Sequence, residues 1–346
     1  MKRILVLYRE LAGYFVECLN HLCEQYNVEA HVVAYPVNSD APFQFAISEK
    51  VKIYQRKEYS RESLIKLVEQ GKFDLIFSGG WFDKEYLEAI QHRKCPALLG
   101  FDNQWNGSFR HFASAIYGRL TIKPKFEYAF VPGTLQKTFA HKLGFREDKI
   151  ISGAYSCDVH KFSALQQIRN NKKQDSPKKL IYAGRYAHEK FIQPLCELIK
   201  NMSSEEIGKW ELHCIGTGPL WNEKIESNRI IHHGFLQPSD LFELMKEGDA
   251  FVLPSTFEPW GVVVHEFASA GFPMVLSSAI GSAEVFLINN ENGFIFQSGD
   301  VKDLKLKLTS LFSLNDEKLR KMGEKSAKLA MTITPDTWAK SLKNIM

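Results

Sequence analysis

Short apolar runs alternate with helical patterns along almost the whole chain, and this alternation restricts the fold more than any other feature. The runs lie at residues 4–8, 30–35, 51–54, 73–78, 96–101 and 128–131, and again at 180–183, 211–215, 230–233, 250–253, 273–276 and 293–296. Each is short enough for a strand, and stretches with helical spacing separate them. The pattern predicts an α/β fold of doubly wound parallel sheets covered by helices.

Length and local composition predict two domains. The 346 residues exceed what a single hydrophobic core commonly supports. Residues 170–179 are polar, charged and nearly free of apolar side chains, as is typical of a linker. We therefore predict a first domain at residues 1–168, a linker at 169–179 and a second domain at 180–331, followed by an amphipathic helix within 332–346.

Charge and cysteine usage argue against several classes of protein. The 44 basic and 40 acidic residues leave a net charge of +4, too weak to indicate a nucleic-acid partner without a clustered patch. The six cysteines form no CxxC pair, which favours a reduced, cytoplasmic protein over a disulfide framework or a zinc site. No apolar run reaches the roughly 20 residues that a membrane span needs.

Two glutamates, Glu258 and Glu266, lie where an apolar run is followed by a loop and a short helix. Gly261 lets the backbone approach a ligand closely, and the first N–H groups of the helix can bind an anion. Because carboxylates accept hydrogen bonds from hydroxyls, a sugar nucleotide would suit both features. The alternative is a solvated loop glutamate and a second glutamate on a helix face, which is a common pair on spacing alone.

The residues around this pair resemble the family 4 retaining glycosyltransferases. The resemblance rests on four motifs in the family's order: Tyr182-Ala183-Gly184-Arg185 with Lys190, Gly216-Thr217-Gly218, His233-Gly234-Phe235-Leu236, and the E-x7-E run from Glu258 to Glu266. It covers residues 150–310 well and the N-terminal part in pattern only. It implies the GT-B fold, in which two Rossmann-like domains face a cleft and a C-terminal helix, here with Trp338, packs back on the first domain.

The resemblance also implies roles for residues of the second domain. Arg185 and Lys190 match residues that contact the donor diphosphate and offset the charge on the leaving group; surface charges at a strand end are the alternative. Glu258 matches the residue that faces the donor sugar, and Glu266 the one that takes the ribose hydroxyls. The other donor-side candidates are Gly216, Phe235, Leu236, Trp260, Gly261, Val262 and Val263. No metal and no cofactor are implied besides the nucleotide-sugar co-substrate.

Two candidates lie in the first domain. Gly13 follows the first apolar run, where the family has a glycine-rich loop near the donor phosphates; this chain has a single glycine there. Asp102 follows a later run, where many relatives have a histidine, and is therefore an acceptor-side catalytic candidate. The alternative for Asp102 is the N-cap of the next helix.

A stretch rich in aromatic and basic residues follows Asp102. One face at helical spacing holds Phe109, Phe112, Ala113, Ile116, Tyr117 and Leu120. This spacing favours a helix that buries the face in the core. The interleaved basic residues are Arg110, His111, Arg119, Lys123 and Lys125. A solvated basic face and a peripheral contact with an anionic lipid head group are the alternatives.

The resemblance implies a retaining hexosyltransferase. It would move a sugar from a nucleoside-diphosphate sugar to a hydroxyl of a glycan or lipid-linked acceptor, in the synthesis of a surface polysaccharide or lipopolysaccharide. We expect it in the cytoplasm or peripherally at the inner face of the membrane. A nucleotide-sugar epimerase of the same architecture and a non-catalytic sugar-nucleotide binder are the alternatives. The residues specify neither the base nor the sugar of the donor.

Overall fold

A computed structural model describes residues 1–36, 46–171 and 177–346 of the chain. It divides into two compact units: Met1–Asp158 together with Ile333–Met346, and Val159–Thr332. Residues 172–176 of the predicted linker lie outside the described residues.

The first unit is built on a sheet of seven parallel strands. The strands are β1 Lys2–Glu10, β2 Val28–Tyr35, β3 Val51–Gln55, β4 Leu75–Ser78, β5 Ala97–Gly100, β6 Tyr128–Val131 and β7 Ile150–Ser152, in the spatial order β3-β2-β1-β4-β5-β6-β7. The interior strand β1 pairs Ile4 with Ala30 of β2 on one side and with Leu75 of β4 on the other. Strands buried on both faces are continuously apolar, as parallel sheets require.

Five helices connect these strands. They are α1 Gly13–Gln25, α2 Arg61–Gln70, α3 Lys84–Gln91, α4 Phe109–Thr121 and α5 Thr134–Lys142. Side-chain caps set several of their starts: Ser60 accepts from the Ser63 amide before α2, and Asp83 accepts from the Glu85 amide before α3. Such caps satisfy amides that have no partner within the helix.

The second unit repeats this architecture with six parallel strands. The strands are β8 Lys178–Ala183, β9 Trp210–Ile215, β10 Ile230–Gly234, β11 Ala250–Leu253, β12 Met274–Ser277 and β13 Gly293–Phe296. The helices are α6 Val159–Asn170, α7 Ile192–Asn201, α8 Ser204–Ile207, α9 Pro238–Glu247, α10 Val262–Ser269, α11 Ala283–Phe286, α12 Val301–Phe312 and α13 Asp316–Ala330. The strand order is β10-β9-β8-β11-β12-β13, so the direction of winding reverses between β8 and β11.

Helix α6 groups with the second unit, whereas we predicted that the first domain extends to residue 168. Arg169, near the end of α6, explains the difference. Its guanidinium donates to the main-chain oxygens of Gly248 at 3.0 Å, and of Ala270 and Gly271 at 2.7 Å each. It also lies 3.4 Å above the Phe272 ring. These contacts attach the helix to the ends of α9 and α10.

The last helix, α14 Pro335–Lys343, packs on the first unit. Trp338 is 1% exposed and belongs to the core that includes β1 and α1. Its indole Nε1–H donates to the Ala154 carbonyl at 3.0 Å, and its ring meets Phe15 edge-on at 5.7 Å. A large buried aromatic with a satisfied polar group holds the C-terminal helix in place.

Helix α4 corrects our prediction that its apolar face is buried in the core. Phe109 is 89% exposed, Ile116 63% and Leu120 72%. The buried side of α4 consists instead of Ala115 and Gly118. A side chain at Gly118 would come within 2.5 Å of Leu143, so only a residue this small allows α4 to approach α5 so closely. None of the helices in the described ranges has the length and apolar character to span a bilayer.

Candidate active site

The loops at the carboxyl ends of β8, β9 and β10 are joined by main-chain hydrogen bonds. The Gly184 amide donates to the Ile215 carbonyl at 3.0 Å, and the Gly216 amide donates to the Gly234 carbonyl at 2.7 Å. These loops lie beside the point where the winding of the sheet reverses, which is where doubly wound folds bind ligands. The arrangement brings the Gly216 and Phe235-Leu236 loops next to each other, with Phe235 and Leu236 both partly exposed.

Gly216 is required at its position for steric reasons. Its φ of +122° lies in a region that other residues rarely adopt, and a Cβ there would lie 2.1 Å from the Gly184 carbonyl oxygen. The Tyr186 amide donates to the Thr217 carbonyl at 3.0 Å. Two backbone segments therefore touch directly here, which fixes the position of the loop that carries Arg185.

Lys190 and Glu258 form an ion pair between the loops after β8 and β11. Only 17% of the lysine side chain and 14% of the glutamate side chain are exposed. The Ser255 hydroxyl donates to the same carboxylate at 3.4 Å. A cation predicted to bind diphosphate and a carboxylate predicted to face the donor sugar therefore lie in direct contact. Sequence reasoning did not foresee this contact, which joins residues 68 positions apart.

Arg185 differs from Lys190 in its surroundings. Its side chain is 68% exposed and donates to the Glu189 carboxylate at 2.8 Å. We did not single out Glu189, although its place four residues after Arg185 is the spacing at which charges pair locally. The Glu189 carbonyl also accepts from the Thr256 amide at 2.8 Å, which ties the Arg185 loop to the loop after β11.

The loop after β11 enters α10 through Gly261, whose φ is +86°. A Cβ at Gly261 would lie 2.9 Å from Cγ of Glu258. The turn at residues 280–282 braces this loop: the Gly281 amide donates to the Glu258 carbonyl at 3.1 Å, and the Ser282 hydroxyl donates to the Gly261 carbonyl at 3.1 Å. Val262 and Val263 are the first two residues of α10, where helical amides have no partner within the helix.

Trp260 requires a correction to our donor-side assignment. Its side chain is 2% exposed and packs near Phe286, with 6.3 Å between the ring centroids. The buried indole N–H has no hydrogen-bond partner among the described residues. The Trp260 carbonyl accepts from the Ser282 amide at 3.0 Å. Because the whole residue is buried, the Trp260 ring packs beneath the loop and does not face a ligand.

Glu266 and His265 are neighbours on α10, and burial shifts the pKa of each in the direction that favours its neutral form. Burial raises the pKa of Glu266 to about 7, and the positive charge of Lys161 on α6 acts in the opposite direction. His265 is fully buried, stacks on Phe286 at 4.2 Å and donates Nε2–H to the Ala330 carbonyl at 2.9 Å. Burial lowers the His265 pKa to about 4, so this imidazole is neutral at pH 7. Glu266 is partly exposed and is the titratable group of this pair near neutral pH.

The first unit holds Asp102 and Gly13. Asp102 does not cap α4: that role belongs to Ser108, which accepts from the His111 amide at 3.3 Å. The structure therefore contradicts the capping alternative. Gly13 is the exposed first residue of α1, and it belongs to a different unit from the other donor-side candidates.

Three tyrosines that sequence reasoning missed surround Asp102. The Tyr155 hydroxyl donates to the Asp102 carboxylate, and the Tyr14 hydroxyl shares a hydrogen bond with that of Tyr8. The Tyr14 and Tyr155 rings meet edge-on at 5.2 Å. Burial, together with the negative charge of Asp102, raises the Tyr155 pKa well above its usual value, and burial raises the pKa of Tyr14 to about 12. All of these phenols stay protonated near neutral pH.

No group of three or more His, Cys, Asp or Glu side chains within residues 1–36, 46–171 and 177–346 has an arrangement that would hold a metal ion. The adjacent histidines His232 and His233 show why two neighbouring side chains on a strand do not form a joint metal site. His232 contacts the Tyr186 hydroxyl at 2.7 Å, whereas His233 contacts His213 at 3.0 Å. Alternation along the strand thus sends the two imidazoles to opposite faces of the sheet.

Comparison with known proteins adds to this geometry. Residues 164–329 match the family model described as glycosyl transferases group 1. The chain is 32% identical over 171 residues to the sulfoquinovosyl transferase SQD2 of Arabidopsis thaliana; the match covers 47% of this chain and 32% of the plant protein. It is 28% identical over 193 residues to the capsular polysaccharide biosynthesis glycosyltransferase CapM of Staphylococcus aureus, covering 51% and 48% of the two chains. The matched segments thus span about a third to a half of these relatives.

The solved structure of Anabaena HepE in complex with UDP and glucose aligns with 99% of this chain and 99% of its own, at a TM-score of 0.74 and 16% identity. The fold is GT-B. Both predicted Rossmann-like sheets are therefore confirmed. The residues that match the glycosyl transferases group 1 model all lie in the second unit, which holds the Lys190–Glu258 pair.

Proposed function

We propose that this protein is a retaining, family 4-like hexosyltransferase that uses a nucleoside-diphosphate sugar without a metal ion. The observation that carries the proposal is the Lys190–Glu258 ion pair, which lies beside the start of α10. A cation, a carboxylate and helix amides in one place are the groups that a diphosphate joined to a polyhydroxylated sugar requires. The match to the group 1 glycosyltransferase model over this unit supports the same reading.

Lys190, Arg185 and the first amides of α10 would bind the diphosphate. A donor diphosphate carries about two negative charges and competes with carboxylates for both cations. Drawing Lys190 towards the phosphates would release Glu258 to accept hydrogen bonds from sugar hydroxyls. Glu266, as a carboxylate, would accept from the ribose hydroxyls. The fixed loops after β8 and β11 hold these groups in position before the donor binds.

In the transfer step, the bond between the anomeric carbon and the diphosphate oxygen breaks while a bond to the acceptor oxygen forms on the same face. The negative charge that builds on the departing diphosphate is stabilised by Lys190, Arg185 and the α10 amides, which makes them transition-state groups as well as binding groups. The acceptor hydroxyl gives its proton to the departing diphosphate oxygen on the same face, so this scheme requires no nucleophilic side chain.

The cluster around Asp102 supports a glycan acceptor. Asp102 is a hydrogen-bond acceptor, and the partly exposed Tyr14 and Tyr155, which stay protonated near neutral pH, would offer aromatic rings to a sugar. Carboxylates and aromatic rings suit the two sides of a sugar, its hydroxyls and its apolar face. We assign Asp102 to the acceptor hydroxyl, with Tyr155 orienting the carboxylate. The named role of the relative CapM in capsular polysaccharide synthesis favours a surface glycan or its lipid-linked precursor, made on the cytoplasmic side of the membrane.

Calorimetric binding of UDP, GDP, ADP and CMP in EDTA tests the donor site. We expect one nucleoside diphosphate to bind at a micromolar level and Glu266→Ala to lose most of that affinity, because the ribose hydroxyls lose their acceptor. Glu317→Ala is the matched control, since Glu317 is an exposed glutamate of α13 that pairs with Lys321. If no nucleotide binds, or if Glu266→Ala binds as well as the wild type does, the donor-site assignment is wrong.

A further inference from the structure

Helix α4 has the reverse of the usual arrangement for a helix on a globular protein. Its buried residues are Ala115 and Gly118. At 100° per residue, the face directly opposite carries the large apolar side chains Phe109, Ile116, Tyr117 and Leu120. These are 89%, 63%, 66% and 72% exposed, respectively. Exposed apolar side chains that adjoin on one helix are unusual for a soluble surface and mark a site of interaction.

The helix is held firmly despite its small buried face. Ser108 caps its first turn, and Gly118 allows close packing on Leu143 just after α5. Phe112 meets Trp105 edge-on at 4.8 Å, and Nζ of Lys142 lies 5.5 Å from the Trp105 ring centroid. The apolar face is therefore presented by a fixed element and does not depend on a fraying segment.

The charge around this face has a single sign. Residues 103–126 contain Arg110, Arg119, Lys123 and Lys125 and no aspartate or glutamate. These four cations equal the net charge of +4 of the whole chain, so the rest of the protein is balanced. Arg110 and Arg119 lie on opposite flanks of the apolar face by helical position. Long basic side chains on the flanks can reach head groups while the apolar side chains enter the acyl boundary.

We propose that the outward face of α4, with the turn Lys123–Lys125, docks the protein on an anionic membrane surface. We call this region, Phe109–Lys125, the α4 surface. Two copies of the chain joined through it would bring like charges together, which disfavours self-association. The aliphatic side chains of Ile116 and Leu120 offer nothing to a nucleic acid, whereas an anionic bilayer takes up both the apolar face and the cations. Docking of this kind is separate from the proposed catalysis and requires neither the donor nor the acceptor.

Sedimentation with lipid vesicles tests the proposal. We expect the full chain to pellet with phosphatidylcholine vesicles that contain phosphatidylglycerol, to stay in solution with phosphatidylcholine alone, and to be released by high salt. The double variant Ile116→Glu/Leu120→Glu should lower the partition onto anionic vesicles by about tenfold or more, because it puts acids into the apolar face. Arg110→Gln/Arg119→Gln should weaken the same partition and reduce its dependence on salt.

The matched control is Leu306→Glu, which replaces a leucine that is 59% exposed on α12 in the other unit. It should leave vesicle binding unchanged. Thermal unfolding of each variant checks that the fold is intact. The proposal is overturned if the wild type does not pellet with anionic vesicles, or if Leu306→Glu lowers binding as much as the α4 variants do. Light scattering that shows a dimer abolished by Ile116→Glu/Leu120→Glu, without vesicle binding, would make the face a self-interface instead.

Discussion

Helices α10 and α4 each follow a loop at the carboxyl edge of a parallel sheet. Helix α10 buries its large apolar residues, whereas α4 exposes them. In α10, Val264, Phe267 and Ala268 are all fully buried, and Phe267 stacks on Phe251 of the strand β11 at 4.0 Å. In α4 the large apolar residues point outward and the small ones meet the domain. Both helices thus carry apolar residues at helical spacing, but only in α10 does this apolar face pack into the domain.

The difference follows from what each helix packs against. Helix α10 contacts α6, α11 and α13, so nearly its whole circumference is covered. Helix α4 contacts α5 and the turn Lys123–Lys125. A helix that we propose presents its first amides and Glu266 to a donor needs a fixed position, and packing against three other helices provides it. A helix that offers a surface to a partner needs one narrow line of attachment, which Ala115 and Gly118 supply.

The largest expected effect comes from matched phenylalanine substitutions in the two helices. Phe267→Ala should lower the free energy of unfolding by about 3–5 kcal/mol, because it leaves a cavity against Phe251 and Phe272. Phe109→Ala should change it by less than about 0.5 kcal/mol, because an exposed ring loses almost no contacts. Urea unfolding followed by circular dichroism measures both. Equal costs would mean that the exposed face of α4 is covered in the folded protein.

Glu258→Gln addresses the catalytic half of the comparison. We expect turnover to fall by about 10²–10³-fold, as when a single preorganised electrostatic group is removed, while the affinity for the nucleoside diphosphate changes little. The assay is transfer or donor hydrolysis with the sugar nucleotide whose diphosphate the wild type binds. Glu317→Gln on α13 is the control and should retain full turnover. If turnover is unchanged in Glu258→Gln, the Lys190–Glu258 ion pair has a structural role only.

Gly118→Val tests whether α4 is held to the domain through its small buried residues. The new Cβ would lie 2.5 Å from Leu143, and overpacking of this kind costs about 1–3 kcal/mol. Ala113→Val, on the exposed face of the same helix, should cost about 0.5 kcal/mol, since only helix propensity changes. Thermal melting compares the two variants. If they melt at the same temperature, α4 is not held through Gly118.

The same contrast shows what the sequence could predict. Helical spacing shows that residues share a face, but whether that face is buried depends on which side chains fit the neighbouring element. In α4 the small residues Ala115 and Gly118 were the sequence signal for the buried side. Continuous apolar runs predicted both sheets, because parallel strands are buried on both sides. Strand β7, three residues at a sheet edge without full burial, has no such run. The assignment of α6 to the second unit escaped prediction, because it depends on bonds from Arg169 to main-chain oxygens about 80 to 100 residues away.

The site shows a similar limit. The order of the motifs along the chain identified Arg185, Lys190, Glu258 and Glu266 as candidates. Their partners come from distant segments and follow from tertiary packing alone. Lys190 meets Glu258 across two loops, and Asp102 meets Tyr155, which lies 53 positions later in the sequence. Burial of Trp260 likewise depends on Phe286 and the turn at 280–282, which the local sequence does not reveal.

The smallest expected effect is a pH dependence that belongs to α10 alone. Because burial raises the Glu266 pKa to about 7, the fraction of carboxylate falls steeply below neutral pH. If the carboxylate is the form that accepts the ribose hydroxyls, nucleotide affinity should drop by up to about tenfold between pH 8 and pH 6, because a group is mostly protonated one unit below its pKa. Calorimetry in buffers of matched ionic strength measures this.

Glu266→Gln separates this titration from others nearby. The variant should bind weakly and without the pH dependence, since an amide does not ionise. The contribution of Glu266 to stability should move the opposite way: a raised folded pKa means that the folded state binds more protons, so this contribution is lost as pH rises from about 4.5 to 7. His265 acts in the opposite direction over part of this range, because burial lowers its pKa in the folded protein to about 4, so the contribution of Glu266 is measured as the difference in stability between the wild type and Glu266→Gln. A pH profile of binding that persists in Glu266→Gln would assign the titration to another group, on the nucleotide or on the protein.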